Sequence, residues 1–370
     1  MTEHLEVETI VVGGGVIGAA TAWALARDGR SVALWEAHEE GHRLGASHGS
    51  TRNFNPSYSR PEYLELVRRA LPLWRELEEA SGRVLLEQTG IVNRGPRADG
   101  GELAALAPRY GFAVEDVPAD EAARRWPGLR FATTSTFMPD GGRLFADRAV
   151  AALLEDARRH GADVRHGLRA RMITPVDRGV RVQADGVSVS ARTAVVAAGA
   201  WSASLLDGLV DLPPLRVTEE SPAHFALRGG SDGAAWPSFN HSPEPSAFRW
   251  PGGIYGLVSP GEGVKVGWHA VGPEVTPATR TFQPPPEIIH ALRAYVREWI
   301  PGADPDVLEP ISCTYTSTET GDFILDTRGP IVVAAGFSGH GFKFAPAIGE
   351  HVAGLARGAT APLPVFSARR

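Results

Sequence analysis

Residues 8–36 read ETIVVGGGVIGAATAWALARDGRSVALWE, and this stretch decides the fold of the chain. The apolar run 10–12 predicts a buried strand, the Ala-rich run 16–28 predicts a helix that ends at Gly29, and 31–36 predicts a second strand. A strand, a helix and a second strand in this order form a right-handed βαβ unit with parallel strands. The stretch therefore predicts an α/β fold.

The turn between the first strand and the helix carries the pattern G-x-G-x-x-G at Gly13, Gly15 and Gly18. Gly13 permits the tight turn, Gly15 lets a pyrophosphate approach the backbone, and Gly18 lets the helix pack close to the strand. The helix N-terminus offers N–H groups to phosphates, and Glu36 ends the second strand, where a carboxylate accepts ribose hydroxyls. A Gly-rich turn without a ligand is the alternative. The combination predicts dinucleotide binding, and the carboxylate argues against the 2′-phosphate of NADP.

The remaining chain alternates helical and β-like segments. Helices are predicted over 61–80, 147–160, 286–299 and 346–357, and Pro72 is expected to bend or split the first of them. Strands are predicted over 84–86, 91–93, 163–166, 168–174, 179–183, 187–190, 193–198, 263–267 and 330–335. The order predicts a discontinuous Rossmann-like dinucleotide domain over 1–84, 146–212 and 322–370, with an inserted β-rich substrate domain over 85–145 and 213–321.

Composition limits the classes of function. The chain has 370 residues, of which 43% are apolar and 22% charged, and its net charge of −6 gives no reason to expect nucleic acid or membrane as a partner. No apolar run approaches the ~20 residues of a membrane span, and the acidic N-terminus is not a signal peptide. Cys313 is the only cysteine, which excludes an internal disulfide and favours a cytoplasmic protein. We predict no metal site.

Only two of the 37 basic residues are lysine, Lys265 and Lys343. Arginine serves wherever positive charge alone is needed, whereas lysine offers a compact ammonium that can lose its proton. The two lysines therefore indicate positions that require this chemistry, and the alternative is survival by chance.

Two further segments favour FAD over NAD. The apolar strand 193–198 ends in Gly199-Ala200-Trp201, which is similar to the segment of FAD proteins that approaches the dinucleotide a second time. The strand 330–335 is followed by a Gly-rich turn and a helix, and such a turn presents backbone N–H groups to an anion. A helix N-terminus with Lys343 would stabilise the negative charge of a reduced flavin. A turn without a ligand is the alternative.

Four motifs in one order resemble those of the monomeric sarcosine oxidase and N-methyltryptophan oxidase family, within the D-amino-acid-oxidase-like flavoproteins. They are SHGSTR at 47–52, VKVGWH at 264–269, CTYT at 313–316 and GFSGHGFKF at 336–344. The resemblance covers nearly the whole chain, from Gly13 to about 350. It implies an FAD-binding Rossmann-like domain, a small-molecule amine substrate, O₂ as the second substrate, and a monomer.

The resemblance also implies roles for single residues. Cys313 matches the cysteine that attaches FAD through a thioether, and an inert buried cysteine is the alternative. Lys265 matches the lysine that promotes reaction with O₂, and a surface cation on a β-strand is the alternative. Tyr255 and His269 match substrate-side residues, with a core tyrosine and a structural histidine as alternatives. Lys343 matches a residue that binds the substrate carboxylate.

The predicted site has two sets of residues. The catalytic set is Lys265, His269, Arg52, Tyr255 and Lys343. The cofactor-binding set is Gly13, Gly15, Val16, Ile17, Gly18, Glu36, Ala37, Ser47, His48, Thr51, Arg52, Ala170, Ala198, Gly199, Trp201, Cys313, Tyr315, Phe337, Gly339, His340, Gly341, Phe342 and Lys343.

Asn55 departs from the family pattern, in which an arginine at this position clamps the substrate carboxylate. A bidentate guanidinium–carboxylate pair is a strong anchor, and an amide does not replace its charge. The alternatives for the substrate are a carboxylate held by Lys343 alone and a different polar group, and Arg60 or Arg249 are candidates for a substitute cation. Three tryptophans, Trp236, Trp250 and Trp268, have two interpretations. They line a larger apolar pocket, or they belong to the hydrophobic core.

We therefore predict an FAD-dependent oxidase of a secondary amine or N-substituted amino acid. Hydride passes from the carbon next to nitrogen to flavin N5, the product is an imine, and O₂ is reduced to hydrogen peroxide. The alternatives are a flavin amine dehydrogenase with a non-oxygen acceptor, a flavin monooxygenase, and a flavoprotein without enzymatic activity.

Overall fold

The structure is a computed structural model that describes residues 3–96, 100–229, 233 and 235–368, so the outer domain limits 1 and 370 lie outside the described residues. Within these ranges the α-helices are α1 (Val16–Arg27), α2 (Pro61–Ser81), α3 (Gly100–Leu106), α4 (Ala119–Arg125), α5 (Ala146–Arg159), α6 (Ser202–Leu206), α7 (Pro286–Trp299) and α8 (Ala345–Ala356). The strands are β1 (Glu3–Val12), β2 (Val32–Trp35), β3 (Thr51–Phe54), β4 (Leu86–Glu87), β5 (Ile91–Arg94), β6 (Glu115–Val117), β7 (Ser135–Met138), β8 (Gly142–Phe145), β9 (Asp163–Arg165), β10 (Met172–Val176), β11 (Gly179–Ala184), β12 (Val187–Val196), β13 (Arg216–Glu220), β14 (Ala223–Leu227), β15 (Ser238–His241), β16 (Ile254–Ser259), β17 (Gly263–Trp268), β18 (Ala303–Pro310), β19 (Cys313–Ser317), β20 (Ile324–Arg328) and β21 (Ile331–Ala335).

A parallel sheet forms the first half of the fold, which confirms the predicted α/β class. Five strands run in parallel in the order β9-β2-β1-β12-β21, and β10, β11 and β20 extend the sheet in antiparallel fashion. Helices α5 and α8 both pack against α1, whose residues from Val16 to Ala26 are all buried. The carboxyl ends of the parallel strands meet at one edge, which is where open α/β sheets bind ligands.

Three details of this half differ from the sequence predictions. The segments 187–190 and 193–198 form the single strand β12, because β1 pairs with it along nearly its whole length. Strand β10 begins at Met172 and not at 168, because the Leu168 N–H donates to the Glu36 carbonyl instead of joining the sheet. Helix α2 continues through the exposed Pro72, so the predicted split is wrong.

A second sheet of eight strands has the order β18-β14-β17-β16-β15-β5-β7-β6. On β17, Val264 and Val266 belong to a hydrophobic core between this sheet and α7, so Lys265 projects from the opposite face. The three tryptophans for which the sequence left two interpretations, Trp236, Trp250 and Trp268, all belong to or pack against this core. They support the sheet and do not line the cavities described below.

Two small sheets lie between the large ones and carry site residues. Strand β3, which contains Arg52, pairs with β8, and β19, which begins at Cys313, pairs with β13. The Thr51 and Ser259 hydroxyls, on β3 and β16, are 2.5 Å apart, so β3 is held directly against the second large sheet. These contacts bring the edge of the parallel sheet to the open face of the β-rich half.

The close contact between α1 and β1 generates the first prediction. A Cβ at Gly18 would lie 1.8 Å from the Gly13 carbonyl oxygen, so Gly18→Ala must push the helix away from the strand. We expect a loss of about 2–4 kcal/mol in the free energy of unfolding, measured by urea denaturation. Gly101→Ala, whose Cβ would meet nothing within 4 Å, is the control and should change stability little. Equal stabilities of the two variants would contradict this packing constraint.

Candidate active site

The turn after β1 has the geometry that the glycine pattern predicts. Gly13 has φ +106°, and a Cβ there would lie 2.5 Å from the Ala197 carbonyl oxygen. A side chain at this position would therefore clash with the backbone that follows β12. The Val16 N–H at the start of α1 donates to Ser47 Oγ at 3.0 Å, which fixes the loop around the helix N-terminus.

Glu36 lies buried beside this turn. Its Oε2 accepts from the Gly14 N–H at 2.6 Å, and its Oε1 accepts from the His38 N–H at 3.0 Å. Burial opposes the charged form, but the hydrogen bonds from His42 and from the Gly14 N–H outweigh it and hold the pKa of Glu36 below its usual value. The side chain is therefore a carboxylate, which disfavours a 2′-phosphate nearby.

A cavity of about 520 Å³ follows the carboxyl ends of the parallel strands, and we call it the dinucleotide groove. Most predicted cofactor-binding residues line it: Gly13, Gly15, Val16, Ile17, Glu36, Ala37, Ser47, His48, Arg52, Ala170, Ala198, Gly199, Trp201, Cys313, Tyr315, Phe337, Gly339, Gly341 and Phe342. Gly18 does not line it and acts in helix packing instead. The side-chain-free turn, the helix N-terminus and the charged Glu36 together fit the pyrophosphate and ribose of FAD.

A second cavity of about 760 Å³, the substrate cavity, lies against the open face of the β-rich sheet. It is lined by Thr51, Tyr255, Lys265, His269, His340 and Lys343 of the predicted site. The two cavities share six lining residues: His48, Arg52, Cys313, Tyr315, Gly339 and Phe342. The shared residues mark the place where a flavin ring would reach from the groove to the substrate.

Lys265 is buried on β17 with 5% of its surface exposed. Its Nζ donates to the Thr51 carbonyl at 3.2 Å, and no carboxylate forms an ion pair with it in the described part of the chain. Burial and then the charge of Arg52 lower the pKa of Lys265 to about 7. An ammonium here is poorly compensated, so a negative charge that develops nearby is strongly stabilised.

Lys343 lies in a 3₁₀ turn, Phe342–Phe344, just before α8, and it is also 5% exposed. Its Nζ donates to the Tyr58 hydroxyl at 2.9 Å and to the His340 carbonyl at 2.7 Å. Burial lowers the pKa of Lys343 to about 7. Two of its three N–H groups are used by neutral partners, so the third and the charge are available to a ligand.

Arg52 is held rigidly at the junction of the cavities. Its guanidinium donates to the carbonyl oxygens of Thr51, Ala46 and His48 at 2.8, 2.9 and 2.6 Å. Its Cζ lies 5.8 Å from the centroid of the Phe342 ring. Burial, with the nearby charge of Arg52 as a smaller cause, lowers the pKa of His48 to about 4, so this imidazole is neutral.

Cys313 opens β19 and lines both cavities. Lys265 and Arg280 are both near enough for electrostatic interaction with it. Arg280 is fixed by hydrogen bonds to the Ser312 hydroxyl at 3.0 Å and the Ser312 carbonyl at 2.8 Å. The only cysteine of the chain therefore lies where the two cavities meet, beside two cationic side chains.

The aromatic wall of the substrate cavity consists of Tyr255, Tyr315 and His269. Burial raises the pKa of both phenols above the usual range, so both are neutral. The His269 ring lies 5.5 Å from the Tyr315 ring, and burial and then Lys343 lower the pKa of His269. His269 therefore faces the cavity as a neutral imidazole that can accept a proton.

The Gly-rich turn after β21 is partly available as an anion site. The Ser338 N–H donates to the Thr316 carbonyl and the His340 N–H to the Phe337 carbonyl, so these two are used inside the protein. The N–H groups of Gly339 and Gly341 have no partner within the described residues. Gly339 has φ +77°, and a Cβ there would lie 2.3 Å from Tyr315, so glycine is required.

The substitute cations suggested by the sequence are not at the site. Arg60 pairs with Asp322 at 2.5 Å, Arg249 is exposed, and neither lines the substrate cavity. Asn55 does line the cavity, and its Oδ1 accepts from the Ser57 N–H at 2.8 Å. Lys343 and Asn55 line the same cavity.

Sequence reasoning missed Tyr58, His224 and Arg280. Tyr58 binds Lys343 from 285 positions away, and His224 is paired with Lys265 across β14 and β17. No local pattern identifies them, because their positions depend on the packing of distant segments. A strand register for β14 and β17 would have placed His224 beside Lys265.

Among the described residues, no helix is both long and apolar enough to span a bilayer. No group of three or more His, Cys, Asp or Glu side chains in the same residues is arranged to hold a metal ion.

Comparison with known proteins identifies relatives over nearly the whole chain. Residues 8–355 match the FAD dependent oxidoreductase family. The chain is 32% identical to monomeric sarcosine oxidase of Bacillus sp. (strain B-0618), covering 96% of this chain and 93% of that protein. It is 30% identical to N-methyl-L-tryptophan oxidase of Salmonella heidelberg (strain SL476), covering 96% of each. The resemblance inferred from the motifs is thereby confirmed.

Solved structures share the fold. NikD, an unusual amino acid oxidase essential for nikkomycin biosynthesis, superposes with a TM-score of 0.84 at 26% identity, covering 98% of this chain and 97% of that one. L-proline dehydrogenase from P. horikoshii has a TM-score of 0.84 at 21% identity, covering 100% and 98%, which shows the fold alone.

The lowered pKa values generate a prediction about pH and stability. An unfolded lysine titrates near 10.5 and a folded Lys343 near 7, so the unfolded state binds more protons between these values. The penalty of burying Lys343 is complete below pH 7 and disappears as pH rises toward 10.5. Lys343→Met should therefore stabilise the substrate-free protein more at pH 6 than at pH 9.5, by urea denaturation.

The control for this pH effect is Arg249→Gln, which alters an exposed cation and should shift stability equally at the two pH values. If Lys343→Met also gave the same change at pH 6 and pH 9.5, the buried ammonium would not be the cause.

Proposed function

The chain belongs to the FAD dependent oxidoreductase family, and we propose that it oxidises a secondary amine or N-substituted amino acid with O₂. One observation carries the proposal. Two buried lysines that form no ion pair with a carboxylate in the described part of the chain, Lys265 and Lys343, face a single cavity that meets the dinucleotide groove. The overall reaction converts CH–NH and O₂ into C=N and H₂O₂, which balances atoms and electrons.

FAD, when bound, accepts the hydride from the carbon next to nitrogen at its N5 and passes the electrons to O₂. The groove residues that would hold it are Gly13 and Gly15 at the pyrophosphate and Glu36 at the ribose. Arg52, Phe342 and Cys313 would lie at its ring, because they line both cavities. In this division of roles, the parallel sheet with its helices binds the cofactor and the β-rich sheet forms the floor of the substrate cavity.

Lys343 would bind the substrate carboxylate. Its Nζ is fixed by Tyr58 and His340 and retains one N–H for a ligand. A bound carboxylate stabilises the charged form of Lys343 and therefore raises the pKa of this lysine. The family relatives named above act on amines with a carboxylate, according to their names, which supports this assignment.

His269 would accept the proton that the amine loses. A secondary amine reacts through its nitrogen lone pair, so it must be unprotonated when hydride leaves. The pKa of His269 is lowered by burial and by Lys343, which keeps the imidazole neutral and therefore free to accept a proton or a hydrogen bond from the amine. Tyr255 and Tyr315, which both line the cavity, would wall the reacting carbon and exclude water.

Lys265 would serve the oxygen half-reaction. O₂ becomes negatively charged on accepting the first electron, and a buried ammonium stabilises that charge. This role favours an oxidase over a dehydrogenase with another acceptor. The single cysteine supports a cytoplasmic protein, and the similarity to a monomeric sarcosine oxidase supports a monomer.

Replacing Lys265 with Met should slow the oxygen step. An ammonium about 4 Å from a developing charge, at an effective dielectric constant of about 20, contributes about 4 kcal/mol, or roughly a thousandfold in rate. Stopped-flow absorbance would measure the reduction by an amine and the return of the yellow colour with O₂ separately. Lys343→Met is the matched control, because it should slow reduction and spare the oxygen step. An unchanged oxygen rate in Lys265→Met would remove this role.

Attachment of FAD at Cys313 has a direct test. If a thioether joins the two, acid denaturation of the native protein should leave the yellow colour on the precipitated chain, and the intact mass should include FAD. Cys313→Ser should release the flavin into the supernatant. Cys313 lines both cavities, which supports it as the point of attachment. Free flavin from the native protein would contradict the proposal.

A further inference from the structure

Resting on the proposed function, we propose that the substrate carries a second, uncharged hydrogen-bonding group of the carboxamide type, which Asn55 and Asn240 bind. The group would be attached to an N-substituted or cyclic amino acid whose carboxylate is held by Lys343. The inference concerns the substrate cavity alone and assigns the two asparagines as residues that determine specificity.

Asn240 belongs to a polar row across the open face of the β-rich sheet. It is paired in register with Asn93 on β5 and with Tyr255 on β16, so the three side chains project from one face. On the neighbouring strands β16 and β17, Tyr255 is paired with Gly267, and Lys265 lies two residues before Gly267. Lys265 therefore projects from the same face as Tyr255. The row therefore faces the substrate cavity, which Asn240 and Tyr255 both line.

Hydrogen bonds fix the orientation of the Asn240 amide. Its Nδ2 donates to Asn93 Oδ1 at 2.9 Å, and Asn93 Nδ2 donates to Ser57 Oγ at 2.7 Å. The Ser57 hydroxyl in turn donates to Met138 Sδ at 3.3 Å. Because this chain of donors runs away from Asn240, its Oδ1 is left as an acceptor with no partner in the described residues. Asn240 thus presents an acceptor to a ligand in the cavity.

Asn55 presents the complementary group. Its Oδ1 is used by the Ser57 N–H at 2.8 Å, which fixes the amide against its own turn. Its Nδ2 has no hydrogen-bond partner among the described residues, and the side chain lines the substrate cavity. Asn55 therefore offers a donor where Asn240 offers an acceptor. A carboxamide, which has one carbonyl oxygen and one amino group, satisfies both.

The patch favours an uncharged group. Asn55, Ser57, Asn93 and Asn240 are joined by hydrogen bonds, and no charged side chain bonds to any of them in the residues that the structure describes. A second carboxylate or an ammonium would lose its hydration here without gaining an ion pair. A cavity of about 760 Å³ also has room for a substituent beyond the amine and the first carboxylate.

The test uses acids that lack an amine and therefore cannot be oxidised. The carbamoyl acids succinamate, glutaramate and adipamate are each compared with the branched acid of the same shape, for example 5-methylhexanoate for glutaramate, and with the dicarboxylate of the same length. Dissociation constants are measured on the FAD-loaded protein by isothermal titration calorimetry and by the shift of the visible flavin band. We expect one carbamoyl acid to bind on the order of tenfold more tightly than both of its matched acids.

Two variants locate the preference. Asn240→Leu removes the free acceptor, and Asn55→Asp keeps the acceptor for the Ser57 N–H but removes the donor. In each, the carbamoyl preference should fall to about twofold or less, while the branched acid binds Asn240→Leu at least as well as the native protein. Asn55→Asp retains the turn, so it tests the idea even if Asn240→Leu fails to fold. A carbamoyl preference that is absent in the native protein or unchanged in both variants would overturn the inference.

Failure of the inference is distinguishable from failure of the proposed function. Lys343→Met should weaken all three acids alike, because they share one carboxylate. If the acids bind through Lys343 without a carbamoyl preference, the oxidase proposal stands and the inference fails. If no secondary amine reduces the bound FAD, the proposed function fails whatever the acids do.

Discussion

The burial of two ammonium groups in one cavity constrains the rest of this structure. Neither Lys265 nor Lys343 has a carboxylate partner among the described residues, and burial lowers the pKa of each to about 7. Such burial opposes folding, so the free energy must be offset by packing elsewhere, chiefly in the cores of the two large sheets. A fold that buries two ammonium groups in one cavity is suited to ligands that are negatively charged or become so during the reaction.

The two lysines have different supports, which separates their roles. Lys265 stands on a strand of the β-rich sheet, whose position is set by the register of β14, β16 and β17. Lys343 lies in the turn between β21 and α8 of the parallel sheet, and Tyr58 holds it there. A flavin ring at the junction of the cavities would meet one ammonium from each half of the fold. On the proposed assignment, changes in either half of the fold would alter one half-reaction without the other.

The sequence predicts the cofactor end more completely than the substrate end. Gly13, Gly18 and Glu36 belong to one local βαβ unit, in which spacing alone determines which atoms meet: Gly18 packs against Gly13, and Glu36 accepts from the Gly14 N–H. Lys265 was recognisable through its motif, and strand alternation correctly left it opposite Val264 and Val266. Tyr58, His224 and Arg280 were not, because each reaches the site through segments that are distant in sequence.

The division of the chain into strands shows the same limit. The polar residues between 190 and 193 interrupt the apolar pattern of β12, and only pairing with β1 keeps them in one strand. The tryptophans of the β-rich half allowed two interpretations, since an aromatic residue looks the same whether it faces a ligand or a core. Local rules decide backbone turns, whereas the packing of distant segments decides which side chains share a cavity.

The neutral side chain of Asn55 limits the positive charge in the substrate cavity, which Lys343 also lines. A guanidinium at position 55 would add a second positive charge near an ammonium that is already poorly solvated, and would lower the pKa of Lys343 further. The neutral amide avoids that repulsion, so a single carboxylate can compensate Lys343 completely when it binds. The remaining polar atoms of the wall are then free to recognise a neutral group. A site whose buried polar atoms must all be paired rejects ligands that leave one of them unpaired. Asparagine in place of arginine at position 55 therefore exchanges one strong ion pair for specificity through hydrogen bonds.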